Sequence, residues 1–598
     1  MTGLNIPNLH IRKLLKEQLM RLSERQRILL LSLVVGVVCG FAAVILEQLI
    51  SFIKAVLTNG ASGYAHTIKY FIYPGIGMLI SLLLLRFVIK DNIGHGVTKV
   101  LLSVSKNESK IKAHNMWSSL LTSAVTIGFG GSVGAEAPIV YTGAAIGSNF
   151  ARYLGLSYRN MTLMLGCGAA GALAGIFKAP LAGVLFTLEI LLFNISMTSM
   201  IPLLLSTVSA TVVSYIFLGD AVSFECTLTP FSLGNIPFYI VLGFLCGLFS
   251  VYFIRTTLML EDRIGRLQNT YLRWLLCAIG LGLLIALFPP LYGEGYDSLG
   301  VLLNGGTIEF EGLTPLAFIL RNKWGVPLFF LAILMLKVFS MALTNAGGGV
   351  GGTFGPTLFI GALVGFVVAR LINLITANMG ISVPEQNFVL VGMAGLMAGV
   401  MQAPMTAIFL IAEISGGYEL LLPLILTATI AFGTTRLFEK YSIYTKRIAQ
   451  SGELLTHDND QAVLTLMKTR DLIRDKYPRV KEDATLRDVV KVISESDAQV
   501  FAVIDDKQHL KGVLEMDNLR KFMFKADKYD SLRVYNIMQR PLAYVYEEEK
   551  MESVLDKFEK TGAWRLPVMD EEGKYLGFVS KSRILSEYRR ELKEISQD

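Results

Sequence analysis

The chain has 598 residues, of which 53% are hydrophobic and only 17% are charged, and its mean hydropathy is +0.52. These values exclude a soluble globular protein and predict a polytopic membrane protein. The net charge is +7, from 55 basic against 48 acidic residues, so nothing in the charge indicates a nucleic-acid partner.

The first predicted element is a basic segment at residues 10–27. It carries six basic side chains against two glutamates and precedes a long apolar run at 28–45. Because basic residues concentrate on the cytoplasmic side of membranes, this order predicts a cytosolic N-terminal helix on the membrane surface, within a domain at 1–27. The apolar run is too long and starts too late for a cleavable signal peptide.

A membrane domain is predicted over residues 28–445. Its apolar runs alternate with short polar breaks, and several runs are shorter than the roughly 20 residues that a full membrane span needs. Short segments broken by glycine are typical of re-entrant helices, which are tolerated where protein or a water-filled cavity covers their free backbone groups.

Within this domain, the stretch GGSVGAEAPIVYTGAAIG (130–147) contains Glu136 as its only charge. The glycines allow a tight turn and Pro138 fits a first helical turn, so Glu136 is predicted at or near a helix N-terminus. The free N–H groups and the positive dipole end there favour an anion. An ordinary capping glutamate is the alternative, but an ionisable residue inside a membrane is a functional candidate by default.

Three pairs of motifs recur in the same order along the membrane domain. They are GHGVTKVLL (94–102) with GEGYDSLGVLL (293–303), GGSVGAEAP (130–138) with GGVGGTFGP (348–356), and the longer segments 166–190 with 392–414. The order indicates an internal duplication, with repeats at about 28–220 and 232–440. In membrane transporters, such repeats form the substrate site at their interface near the midplane. The residues alone do not decide between inverted and parallel repeats.

The composition becomes charged after Tyr441, which predicts a soluble C-terminal part. A connector is expected at 446–465, followed by two modules at 466–530 and 531–598. Residues 485–520 and 550–585 align at a constant offset of 65, and each copy predicts a helix, two strands joined by a turn, and a second helix. Two small α+β modules packed as a pair are therefore expected.

Taken together, the motifs resemble the CLC family of chloride channels and chloride/proton antiporters, and the C-terminal part resembles a tandem CBS-domain pair. The family's three anion-site motifs resemble Gly94-His95-Gly96-Val97-Thr98, Gly134-Ala135-Glu136-Ala137-Pro138 and Gly352-Thr353-Phe354-Gly355-Pro356. The resemblance implies a polytopic α-helical fold with two inverted-repeat halves and broken helices, plus a cytosolic α+β CBS pair. It also implies a homodimer with one pore per subunit, cytoplasmic termini and a plasma (inner) membrane location.

The resemblance further implies which residues bind chloride, the expected substrate. These anion-binding positions are Gly94, His95, Gly96, Gly134, Ala135, Glu136, Thr353, Phe354 and Tyr444, with Tyr441 as the alternative tyrosine. Backbone amides would hold the ion by partial charges, so that the ion can also leave. Glu136 would act as the external gate, and no cofactor would be required.

Three departures from the family pattern bear on mechanism. His95 replaces a serine; a lone histidine is more often structural, and the alternative is a pH-sensitive anion path. Ala135 and Ala137 replace an arginine and a glycine, which makes the gate region less positive than usual. Ile190 stands where antiporters carry their inner proton glutamate, and isoleucine cannot carry a proton. Glu189, which precedes it, is expected to have a structural role at a helix end.

The leading functional hypothesis is therefore a voltage- or pH-dependent chloride channel. The alternatives are a chloride/proton antiporter with a non-standard internal proton route and, more remotely, a secondary transporter of another anion. A divalent-cation transporter would need clustered carboxylates, which the sequence lacks. An enzyme is not expected, because no metalloprotease, phosphate-loop or nucleophile-elbow motif occurs, and the scattered cysteines predict no metal site.

The CBS pair raises the question of an adenine nucleotide. The positions where CBS domains carry a ribose-contacting threonine and aspartate are occupied here by Glu515, Asn518, Ser580 and Arg583. Neither module keeps the aspartate. The pair is expected to regulate transport. As to the nucleotide, a structural or dimer-forming domain is expected, with nucleotide binding as the alternative.

Overall fold

The computed structural model describes residues 22–58, 64–191, 197–219, 228–303, 316–450, 464, 467–474 and 477–596. The chain divides into two compact units, Met1–Leu455 and Thr456–Asp598. Most of the predicted surface helix at 10–27 lies outside the described residues. The first described helix begins at Glu24 and runs to Thr58, so it starts four residues before the predicted membrane domain.

The described residues of the first unit form helices joined by loops. Its first half contains α1 (Glu24–Thr58), α2 (Tyr64–Leu83), α3 (Gly96–Lys106), α4 (Ser118–Gly128), α5 (Glu136–Leu154), α6 (Tyr158–Phe177), α7 (Pro180–Phe186) and α8 (Met197–Leu218). Its second half contains α9 (Ile236–Gly265), α10 (Thr270–Leu287), α11 (Tyr296–Leu303), α12 (Gly325–Ala346), α13 (Phe354–Ile375), α14 (Glu385–Met401), α15 (Pro404–Ile414), α16 (Leu421–Phe438) and α17 (Ile443–Gln450). Short 3-10 turns lie at Ala113–Met116, Leu233–Asn235, Pro289–Leu291 and Ala317–Arg321, and π turns at Leu84–Ile89 and Thr187–Leu191.

Many of these helices have the length and composition of membrane spans. Nine stretches of the described chain qualify, and α3, α4, α14, α15 and the α7 segment are apolar but shorter. The short helices lie next to the glycine-rich motifs, as the sequence predicts for re-entrant elements. Because α17 is helical to Gln450, it covers the first residues of the predicted connector at 446–465.

The repeated glycines let equivalent helix pairs approach closely in both halves. A Cβ added at Gly143 in α5 would lie 2.2 Å from the carbonyl oxygen of Gly168 in α6. Its repeat equivalent, Gly361 in α13, would place a Cβ 2.5 Å from the carbonyl oxygen of Gly392 in α14. Backbone-to-backbone packing of this kind requires small residues, and here it builds the same helix pair twice.

The two halves meet at a short backbone pairing between Gly134 and Gly352. The Gly134 N–H donates to the Gly352 carbonyl at 3.1 Å, and the Gly352 N–H donates back at 2.7 Å. Helices α5 and α13 each begin two residues later. A Cβ at Gly134 would lie 2.8 Å from the Gly355 nitrogen, so only glycine permits this approach. The pairing therefore brings two helix N-termini, one from each half, side by side.

The second unit contains two modules of the same construction. The first has α18 (Thr469–Leu472), β1 (Arg479–Lys481), α19 (Leu486–Ser494), β2 (Val500–Ile504), β3 (Leu510–Glu515) and α20 (Met516–Leu519), with 3-10 turns at Ala526–Lys528 and Val534–Asn536. The second has β4 (Val545–Tyr546), α21 (Met551–Thr561), β5 (Arg565–Met569), β6 (Tyr575–Ser580) and α22 (Lys581–Ser596). In each sheet the first strand pairs parallel with the second, and the second pairs antiparallel with the third.

The two modules pack against each other through their hairpin turns and sheets. The Tyr575 N–H donates to the Gln508 carbonyl at 2.9 Å, and the Leu510 N–H donates to the Gly573 carbonyl at 3.3 Å. A hydrophobic cluster is shared between the modules and consists of Ala502, Ile504, Val513, Tyr575 and Phe578. The modules therefore form one paired unit, as their sequence alignment predicts.

Candidate functional site

The side chain of Glu136 crosses from its own half of the protein to the other half. It stands at the start of α5, only 2% of its surface is exposed, and its Oε2 accepts the backbone N–H of Gly355 at 3.1 Å. Gly355 lies in the first turn of α13. The Oε1 atom accepts the hydroxyl of Tyr296 at 2.5 Å. The carboxylate thus occupies the position at the N-terminus of α13 that a free anion would prefer.

Two buried hydroxyl groups lie beside this helix start. They belong to Thr353, the N-cap residue of α13, and to Tyr444, and these residues are 2% and 1% exposed. The two hydroxyls lie next to each other, and neither has a further hydrogen-bond partner among the described residues. A buried hydroxyl without a partner is costly, so the arrangement fits a ligand that accepts hydrogen bonds, such as a halide.

Tyr444, rather than Tyr441, is the tyrosine that the structure places at this site. Tyr441 is partly exposed and its ring lies 5.5 Å from the Lys440 ammonium group. Phe354, the repeat equivalent of Glu136, packs its ring against Phe177 at 5.6 Å and Phe186 at 6.3 Å. The side chain of Phe354 is therefore part of an aromatic wall, and its backbone belongs to the helix start.

His95 is not isolated, as the sequence suggested, but belongs to a charged cluster. Its Nε2 lies 3.5 Å from Oε1 of Glu261, and the same carboxylate accepts from Arg447 Nη2 at 2.7 Å and Nε at 3.2 Å. The Arg447 side chain is only 8% exposed. His95, Glu261 and Arg447 are called the histidine cluster below. Glu261 and Arg447 carried no motif in the sequence, so only the fold could reveal them.

The histidine cluster lies at the start of α3, close to α5. His95 is the N-cap of α3, and a Cβ at Gly96 would lie 2.3 Å from the Ala137 carbonyl oxygen. The cluster lines a cavity of about 370 Å³ together with Gly94 and Thr98. Arg447 Nη1 and the Thr98 hydroxyl are buried without partners among the described residues. This cavity therefore offers unsatisfied donors next to the first predicted anion motif.

A second carboxylate, Glu294, approaches the start of α5 from the other half. Its Oε1 accepts the backbone N–H of Ala135 at 2.9 Å. Nearby, the completely buried ammonium group of Lys337 donates to the Gly293 carbonyl at 2.8 Å and lies 4.9 Å from the Phe359 ring. Glu136, Glu294, Tyr296 and Lys337 are called the gate cluster below.

The gate cluster adds two ionisable side chains that the sequence did not predict at this site. The loss of an arginine at Ala135 was expected to leave the region less positive, and an added pair of one base and one acid does not change that expectation. Lys337 contributes a buried basic group there, and Glu294 contributes a second acid. The motif GEGYDS contained the signal for Glu294, because the weakest repeat pair aligns this residue with His95.

Glu189 and Glu413 form a reciprocal pair of helix caps, called the cap pair below. Glu189 accepts the N–H groups of Met405 at 3.0 Å and Thr406 at 2.7 Å, at the start of α15. Glu413 accepts the N–H groups of Leu181 at 3.1 Å and Ala182 at 2.9 Å, at the start of α7. Ile190, next to Glu189, is buried in the π turn that follows α7.

The remaining predicted positions lie in the C-terminal modules. Ser580 Oγ accepts the Arg583 N–H at 3.3 Å, and the Arg583 guanidinium donates to the Asp471 carbonyl at 3.3 Å. Glu515 ends β3, and Asn518 lies in α20. Over the described part of the chain, no group of three or more His, Cys, Asp or Glu side chains has an arrangement that could hold a metal ion.

Comparison with known proteins identifies relatives of this chain. The chloride channel protein CLC-f of Arabidopsis thaliana is 26% identical over 457 residues, covering 67% of this chain and 56% of that protein. The H(+)/Cl(-) exchange transporter ClcA of Vibrio cholerae serotype O1 (strain M66-2) is 30% identical over 331 residues, covering 54% of this chain and 66% of that protein. The chain thus matches little more than half of the plant protein and about two thirds of the bacterial one.

A solved structure shares the fold. The X-ray crystal structure of a slow cyanobacterial Cl⁻/H⁺ antiporter superposes with a TM-score of 0.60 at 22% identity, covering 72% of this chain and 98% of that one. The predicted fold class, a polytopic helical membrane domain with related halves followed by a CBS pair, is confirmed.

Family sequence patterns match both units. The CBS domain pattern matches residues 470–525 and 534–590. The pattern described as "Voltage gated chloride channel" matches residues 76–436, more than half of the chain. The resemblance seen in the anion motifs is therefore confirmed, and the chain belongs to the voltage-gated chloride channel (CLC) family of integral membrane proteins.

Proposed function

We propose that this protein is a chloride channel whose conduction path is gated by Glu136. One observation carries the proposal: the Glu136 carboxylate binds the Gly355 amide at the start of α13, beside the hydroxyls of Tyr444 and Thr353, which have no partner other than each other in the described part of the chain. The Glu136 carboxylate and these two hydroxyl groups lie together at one buried helix start. A chloride ion that displaced the carboxylate would receive the same N–H group and both hydroxyls.

Binding by partial charges suits passage through a membrane. A helix N-terminus stabilises an anion by roughly 0.3 to 1 kcal/mol at a surface, and by up to about 2 kcal/mol when partly buried. Such an interaction is strong enough to select an anion and weak enough to release it. Because Glu136 supplies a competing negative charge, protonation or outward movement of this side chain would free the path.

The channel is preferred to a proton-coupled exchanger because the position where antiporters carry their inner proton glutamate holds no acid in this chain. Ile190 replaces the expected glutamate and is buried. The neighbouring acid, Glu189, is engaged as a helix cap: its two oxygens accept the Met405 and Thr406 N–H groups and the Thr406 hydroxyl, the last at 2.6 Å. The exchanger remains the second candidate, since relatives with both kinds of name match the chain.

The experiment that tests the channel proposal is a measurement of reversal potential. The purified protein is reconstituted into lipid bilayers with equal chloride on both sides and a pH gradient across them. A channel gives a current that reverses at zero voltage, since protons do not move with chloride. A second measurement with a chloride gradient and equal pH provides the control, because the reversal potential must then follow chloride.

A reversal potential that shifts with the pH gradient at equal chloride would reject the channel and establish the exchanger. An absence of chloride current or flux in both conditions would reject chloride transport itself. Replacing chloride by a bulky organic anion, such as gluconate, tests whether the site admits only small anions.

The assembly and orientation belong to the same proposal. The basic segment before α1 supports a cytoplasmic N-terminus, with Glu136 then facing the outer side. A homodimer with one path per subunit, in the plasma (inner) membrane, is what the family membership supports. Cross-linking of the purified protein and protease access to the C-terminal unit in sealed vesicles check these two points.

A further inference from the structure

Glu294 is held in place by the turn that carries it. The residues on either side, Gly293 and Gly295, have φ angles of +61° and +90°, which side-chain-bearing residues rarely adopt. A Cβ at Gly295 would also lie 2.6 Å from the Phe359 ring. The turn therefore fixes the position from which the Glu294 carboxylate reaches Ala135.

Glu294 and Glu136 make reciprocal contacts between the halves. Glu136 comes from the first half and binds an amide at the start of α13, in the second half. Glu294 comes from the second half and binds the Ala135 amide at the start of α5, in the first half. Both helix starts that meet at the Gly134–Gly352 pairing are thus bound by a carboxylate of the opposite half. A chloride ion arriving there meets two competitors rather than one.

The charges around Glu294 do not balance when both acids are ionised. Glu136 on α5 and Glu47 on α1 act on Glu294 as further negative charges, and Lys337 on α12 acts as a positive charge. Tyr296 on α11 donates its hydroxyl to Glu136. One ammonium group can compensate one of the two buried carboxylates of the gate cluster, but not both. This excess negative charge can be neutralised by protonation of one carboxylate, or one carboxylate can move into contact with water.

We propose that Glu294 is a second gating carboxylate, which competes with chloride for the start of α5 as Glu136 competes for the start of α13. This inference rests on the proposed anion transport and adds a titratable residue to its gate. Opening the path then requires the release of both carboxylates. The alternative is that Glu294 is a static cap of α5, permanently neutralised by Lys337.

The test compares Glu294→Gln, Glu136→Gln and the double variant in reconstituted vesicles, with chloride efflux measured from acidic to alkaline pH. At neutral pH, Glu294→Gln is expected to raise efflux roughly fivefold, the factor that removal of one competing anion from a helix start gives. In each single variant, chloride efflux keeps part of its pH dependence, because the other carboxylate still titrates. In the double variant, efflux no longer depends on pH.

Glu413→Gln is the matched control, because it removes a carboxylate from a helix start outside the gate cluster. It should keep the wild-type pH profile. Glu294→Asp is a second test, since it keeps the charge but withdraws it by one methylene from the Ala135 amide. It is expected to raise efflux in the same direction as Glu294→Gln, so the inference does not depend on one variant folding.

The outcomes separate the two proposals. Wild-type efflux and an unchanged pH profile in the two Glu294 variants, with an altered profile in Glu136→Gln, would overturn the second gate and leave the chloride path standing. Failure of the wild-type protein to transport chloride would overturn the proposed function itself. A pH profile altered equally by Glu413→Gln would show that loss of any cap has this effect, and would also overturn the second gate.

Discussion

Glu136 and Glu294 have the same side chain, but only the importance of Glu136 could be predicted from the sequence. Glu136 stands alone among glycines and apolar residues, so the cost of a charge in such a place is enough to predict its importance from the sequence. Glu294 lies in a polar stretch with Asp297 nearby, where an acid is ordinary. Its contact with Ala135, 159 residues earlier in the chain, depends on how the halves pack. No local sequence pattern predicts a contact between residues so far apart in the chain.

The role of Glu136 gives a prediction for Glu136→Gln. Glutamine imitates the protonated acid and removes the negative charge from the start of α13, so chloride efflux should rise at neutral pH and depend less on pH. Stopped-flow or electrode measurements of chloride efflux from vesicles check this.

Glu385→Gln is the control for that experiment. Glu385 also begins a helix, α14, but it pairs with Arg370 at 3.3 Å instead of reaching across to the other half. Its variant should behave like wild type. If Glu136→Gln left efflux and its pH dependence unaltered, Glu136 would be an ordinary cap and the gate would have to lie elsewhere.

Among the secondary-structure elements, the helix starts are the ones whose positions the sequence predicted best. Glycine and proline positions predicted where α5 and α13 begin, and the structure starts both helices at the residues that the repeat alignment equates, Glu136 and Phe354. The sequence could not show which side chain serves each helix start. Glu189 and Glu413 were recognisable as repeat equivalents, but their exchange between α7 and α15 depends on how the two halves pack.

The cap pair predicts a graded loss of stability. Glu189→Gln removes charged acceptors from two N–H groups and one hydroxyl, whereas Glu413→Gln removes them from two N–H groups. Each substitution should cost about 1 to 2 kcal/mol, and Glu189→Gln should cost more. The unfolding temperatures of the two variants in detergent show which substitution costs more stability.

Glu419→Gln, on an exposed residue of the same region, is the control and should unfold at the wild-type temperature. Transport by the two cap variants should keep its pH dependence. An altered pH profile in Glu189→Gln would instead give this residue a part in proton movement and favour the exchanger.

For the whole molecule, the sequence predicted the class of each unit and the constant offset of 65 between the C-terminal modules. The structure repeats that offset in the strands: β2 and β5 start at Val500 and Arg565, and β3 and β6 at Leu510 and Tyr575. The pairing of modules was predictable because the alignment duplicates whole strands. The histidine cluster was not predictable, because Glu261 and Arg447 come from two helices without a shared motif.

The C-terminal unit gives a prediction about nucleotides. Arg583 already donates to the Asp471 carbonyl, and the aspartate expected for ribose is missing from both modules. We expect ATP, ADP and AMP to leave the unfolding temperature of the full-length protein unchanged. A bound ligand at one hundred times its Kd would add about 2.7 kcal/mol and be visible as a shift.

Inorganic phosphate at equal ionic strength is the control for that measurement. A rise in unfolding temperature that saturates with one of the three nucleotides, but not with phosphate, would contradict the expectation. The pair would then be a ligand-sensing element rather than a purely structural one.

The exchange of carboxylates between the halves has a consequence for the history of the chain. In each half, backbone N–H groups at helix starts bind carboxylates that come from the other half. An ancestral protein with a single copy would therefore have needed a second molecule packed against it. Once the copies were joined, they could diverge, as Glu136 and Phe354 have. A substitution of one of these acids therefore acts on a helix of the other copy rather than on its own.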